Sequence, residues 1–105
     1  MLNFTVDDEK TKAIAHHYCQ ILKNPLADAF FSGQSSPSTK SEALEIANAF
    51  WEITELASQD HLNEIEILEN IDIEFWMHKL FNKTHGYFQK NGFSEEWKKA
   101  ENENS

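Results

Sequence analysis

The chain contains no arginine: all nine of its basic residues are lysine. Arginine's planar fork is the preferred tool for reading phosphates and guanine edges, whereas lysine offers only a point charge. Direct nucleic-acid binding is therefore not expected. Cysteine is almost missing as well. The single thiol, Cys19, cannot close a disulfide within the chain, so the fold must rest on its apolar core. Glycine is confined to Gly33, Gly86 and Gly92, and no phosphate-cradling Gly-rich loop, Gly-x-Ser-x-Gly elbow or Walker motif is present. This excludes the common nucleotide enzymes. Long apolar runs are also lacking. None approaches the roughly 18 to 20 residues that cross a bilayer, and no basic amphipathic face is available to lie on anionic lipid. The opening Met1-Leu2-Asn3-Phe4 has neither the basic start nor the apolar stretch of a signal peptide. The expectation is a cytoplasmic protein with no membrane role.

What is present is carboxylate, and it is concentrated. Between Ser41 and His78 lie ten acids (Glu42, Glu45, Glu52, Glu55, Asp60, Glu64, Glu66, Glu69, Asp72 and Glu74) and no lysine. The formal charge of the whole chain is −9. The remainder, with eight acids against nine lysines, is close to neutral, so the acidity is local. Such a surface repels the phosphate backbone, which reinforces the expectation of no nucleic acid. It could instead imitate that backbone for a basic partner. The bland alternative is a solvated face whose charge Lys79, Lys83, Lys90, Lys98 and Lys99 partly offset. Exposed pairs of that kind contribute roughly 0 to 1 kcal/mol each and would tune the fold rather than create it.

Apolar residues make up 40% of the 105 positions and aromatics 12%, which excludes disorder by low hydrophobicity and allows one folded domain. The apolar spacing is helical. A first helix is expected to begin near Thr5, with Thr5 and Asp8 as a capping box, and to present Ile14, Tyr18, Ile21 and Leu22 before stopping at Lys23 and Asn24. Asn24-Pro25 then reads as an N-cap followed by proline at the first helical position, opening a short helix that Gly33 closes. Residues 32–38, four serines with Gly33 and Pro37, contain no core-forming side chain and read as a flexible loop.

Thr39 and Glu42 form a second capping box. Behind them Ala43, Leu44, Ile46, Ala47, Phe50, Trp51, Ile53 and Ala57 mark a wide apolar stripe that ends at Ser58-Gln59-Asp60. The tract Glu64 to Trp76 alternates apolar and acidic residues with period two, the pattern of a half-buried strand. Glu69-Asn70 is a poor hairpin turn and no other strand candidate exists to extend a sheet, so helix is preferred here, bent near Asn70. A helix from Asp72 is expected to end at Asn91-Gly92. Ser94 should cap a final helix with Phe93 as its staple, and residues 101–105 should form a frayed tail. The fold class is therefore all-α, a small bundle of about four to six helices in antiparallel hairpins.

Chemistry-bearing constellations are sparse. His61-x-x-Glu64 and Glu74-x-x-x-His78 each set a histidine and a carboxylate one helical turn apart, spacing that lets two ligands reach one ion. Neither the paired Glu-x-x-His of di-iron bundles nor His-Glu-x-x-His nor paired cysteines occur. His16 and His17 precede Cys19 too closely to be oriented on it, and a small thiol inside an apolar helix face is ordinary core. No enzyme and no cofactor is expected. The aromatic set Phe75, Trp76, Phe81, Tyr87, Phe88, Phe93 and Trp97 is read mainly as core, with some spill to the surface that a homodimer would cover.

The leading expectation is a non-catalytic protein that acts through protein–protein interaction, such as a regulator, an inhibitor or an immunity-type protein. Its partner-binding residues would be Glu64, Glu66, Glu69, Asp72, Glu74 and Trp76, and its partner basic. The alternative is a metal- or small-molecule-binding bundle built on His61, Glu64, Glu74 and His78.

Overall fold

Why the chain turns where it does is visible at each helix end. The computed structural model describes residues 9–59 and 73–104, and these form five helices and no strand: α1 Glu9–Leu22, α2 Pro25–Phe31, α3 Lys40–Gln59, α4 Ile73–Lys90 and α5 Ser94–Glu103. α1 ends with Lys23 in the left-handed region at φ 55°. The Lys23 amide donates to the Gln20 carbonyl and the Asn24 amide to the Cys19 carbonyl, each at 3.2 Å. This double bond pattern satisfies two of the carbonyls that a helix end leaves open. Asn24 then changes role within one residue. Its side-chain Oδ1 accepts from the Ala27 amide at 3.1 Å, so the expected cap-plus-proline start of α2 is realised.

The same closure recurs after α2. Gly33, at φ 81°, donates to the Phe30 carbonyl at 3.0 Å, and Gln34 donates to that of Ala29 at 2.8 Å. A positive φ of this size is why glycine stands there. The loop that follows is not wholly without an anchor, because Pro37 is buried. α3 opens on a variant of the expected capping box. Thr39 Oγ1 accepts from the Glu42 amide at 3.1 Å. The Glu42 carboxylate reaches back one residue further than usual and accepts from the Ser38 amide at 2.7 Å.

α3 is the hub, in contact with each of the other four helices, and its most extensive packing is against α5. The reason is its stripe of mixed size. Ala43, Ile46, Ala47, Ala49, Phe50 and Ile53 are all at most 1% exposed; the alanines allow neighbouring helices to approach while Phe50 and the isoleucines fill the gaps between them. Around Trp97 of α5 the rings of Phe50, Trp51, Phe81, His85 and Phe88 have centroids 5.2 to 5.7 Å away. Phe88 continues this array to Phe30 at 6.3 Å, and Phe30 to Tyr87 at 5.1 Å. Most of these pairs are edge-on or tilted, the arrangement that ring quadrupoles prefer.

Three of the expectations differ from the structure. Ile21, assigned to the buried face of α1, is 49% exposed. It lies at the edge of that face, where the chain leaves the helix, while the unassigned Thr11, near the start of the helix, is fully buried. Ser94 is not the cap of α5: Phe93 occupies the cap position, makes no side-chain cap bond, and its carbonyl accepts from the Trp97 amide at 3.0 Å. Phe93 is instead recruited by the end of α4, its amide bonded to the Phe88 carbonyl at 2.8 Å and its ring 6.1 Å from that of Phe88, across a Gly92 at φ 79°. Finally, residues 101–103 of the expected tail are helical. α5 continues through Glu103, and the Asn104 side-chain Nδ2 donates to the Ala100 carbonyl at 2.8 Å and to Asn48 Oδ1 of α3 at 2.9 Å.

The expected start at Thr5 and the bend at Asn70 lie outside the described residues. The last turn of the alternating tract, Ile73 to Trp76, is helical. The Cα radius of gyration, 13.0 Å, matches the roughly 13 Å of a compact chain of this length. Among the described residues no helix is long and apolar enough to cross a membrane.

Candidate functional site

A helix that buries one stripe must offer another, and on α3 that second stripe is acidic. Glu45, Glu52 and Glu55 are all exposed. Their spacing of seven and three residues keeps them on one face. At 1.5 Å per residue the three carboxylates spread over roughly 15 Å of helix. Asn48 stands in the turn between Glu45 and Glu52, and it is the residue that holds Asn104. Among the described residues no ion pair joins Glu45 or Glu52 to a lysine. The exposed Lys83, Lys90, Lys98 and Lys99 therefore do not neutralise these two positions by direct contact. Like charges one turn apart on a helix repel by a few tenths of a kcal/mol.

The partner-binding residues expected from the sequence fall differently. Glu64, Glu66, Glu69 and Asp72 lie outside the described residues. Glu74 stands in the first turn of α4, and its side chain is likewise outside them. Trp76 is in the core, 3% exposed, with its ring 6.4 Å from that of Tyr18. α3 thus carries the part of the acidic face whose geometry is on view; its glutamates belong to the acidic concentration of the sequence but not to the expected partner-binding set.

The histidines are dispersed. His61 is outside the described residues and His78 is exposed on α4. His85 stacks on Phe81 with centroids 5.5 Å apart and a 27° interplanar angle, and lies 5.4 Å from Trp97. His17 meets Tyr18 edge-on at 5.3 Å. No group of three or more histidine, cysteine, aspartate or glutamate side chains placed to hold a metal occurs among the described residues.

One polar cluster was not anticipated. His16 Nδ1 lies 2.8 Å from Asp28 Oδ1, and Gln20 Nε2 donates to Asp28 Oδ2 at 3.3 Å. His16 and Gln20 are one turn apart on α1, and the reversal at Lys23 and Asn24 carries Asp28 of α2 across to them. With Nδ1 protonated, the imidazole donates to the carboxylate and turns Nε2 to solvent. The i,i+4 pair was readable in the sequence; its acceptor on the next helix was not.

This arrangement does not activate the neighbouring thiol. Cys19 is 1% exposed, and its pKa is pushed up from 9.0 to about 12, first by burial and then by the negative charge of Asp28. A nucleophilic cysteine needs the opposite environment, electropositive and accessible. Cys19 stays a protonated core side chain at neutral pH. Comparison of the chain with family models, with curated proteins and with solved structures finds no match.

Proposed function

We propose that this is a non-catalytic helical protein that works by binding another protein, with the glutamate face of α3 and the acidic tract that follows it as the contact surface. The partner is basic. A regulator, an inhibitor or an immunity-type protein fits this mode of action, in which a concentrated charge steers the encounter and rejects partners of like sign.

The observation that carries this reading is the exposed row Glu45, Glu52 and Glu55 on the helix that organises the core. Among the described residues no ion pair to a lysine offsets the charge of Glu45 or Glu52. Its backbone is held from behind by the buried stripe and at its middle by the Asn48–Asn104 bond. A rigid helix face fixes the spacing of its carboxylates before a partner arrives, which lowers the ordering cost of association. A second copy of the chain is a poorer partner for this face, since two such rows repel each other. The aromatic overload that suggested a homodimer is also largely accommodated: Phe30, Phe31, Phe50, Trp76, Tyr87, Phe88 and Trp97 are all at most 6% exposed.

The test is affinity capture from native extract with the wild-type protein and the Glu45→Gln, Glu52→Gln double variant side by side, followed by identification of what is retained. The proposal expects a basic protein that binds the wild type, elutes with salt and is retained several-fold less by the variant. Equal retention of the same protein by both would remove α3 from the interface.

A further inference from the structure

We draw no further inference here: the strongest candidate, the His16–Gln20–Asp28 side-chain cluster at the corner between α1 and α2, spends both carboxylate oxygens on its own members, and nothing among the described residues points to a ligand for it.

Discussion

At Gly86 the chain keeps a residue that its helix does not need. The position is inside α4, and a Cβ built there meets nothing within 4 Å. Glycine in a helix interior costs about 0.5 to 1 kcal/mol relative to alanine, because more backbone freedom is lost on folding. Gly86→Ala should therefore raise stability by about that amount, a few degrees in Tm for a chain of this size. A thermal melt that is unchanged or lowered would mean that the site is more crowded than it is drawn. Gly92 is the contrasting case. Its φ of 79° closes α4, so the same substitution there would be strained.

Cys19 gives a second residue-scale test through its chemistry. In the folded protein its pKa is near 12 instead of 9.0, so the unfolded chain gives up this proton first as the pH rises. The contribution to stability is fully present below about pH 9, is lost progressively as the pH climbs towards 12, and is indifferent to acid. At pH 8 the native thiol should be silent towards a disulfide reagent such as DTNB and should react at once after unfolding in urea. Immediate reaction of the native protein would contradict the buried, unactivated thiol described here.

At the scale of elements, helix boundaries were legible in the sequence wherever they depend on neighbours a few residues away. Asn24-Pro25, Thr39 with Glu42, and Asn91-Gly92 each announce a local hydrogen bond or a backbone angle, and each stands where it was expected. The misses are tertiary. Ser94 has the side chain of a cap, yet Phe93 takes the position because its ring and amide are both claimed by the end of α4. The contact between His16 and Asp28 spans a chain reversal, and no periodicity encodes it. Ile21 has the right spacing for burial, but spacing cannot say how far a neighbouring helix extends. The Thr39 cap yields the prediction at this scale. Thr39→Ala removes the acceptor of the Glu42 amide at the start of the helix that touches all others, and should cost about 0.5 to 2 kcal/mol. Urea denaturation should show this as a lower midpoint with an unchanged slope. A changed slope would mean that α3 also organises the unfolded ensemble.

For the molecule as a whole, the division of labour is between an interior built on aromatic rings and a surface with uneven charge. The apolar pattern made the interior legible, and its all-α class follows from that pattern. The candidate site was legible only as charge. The sequence shows where carboxylates cluster, but which of them share a rigid face depends on how α3 packs, and the residues weighted most heavily, Glu64 to Asp72, lie beyond the described ones. Trp76 illustrates the limit, since an aromatic beside an acidic tract reads mainly as core but also as a contact residue, and its ring is buried near that of Tyr18.

The central claim, that the glutamate face acts through summed charge on a basic partner, is tested most directly by the association rate of the captured partner. That rate is to be measured between about 0.05 and 0.5 M salt, a range over which the Debye length shrinks from above to below about 10 Å. With the wild-type protein it should fall about tenfold or more as salt is added, and the Glu45→Gln, Glu52→Gln variant should start slower and fall less steeply. An association rate indifferent to salt, or one with the same salt dependence in the variant, would contradict the account.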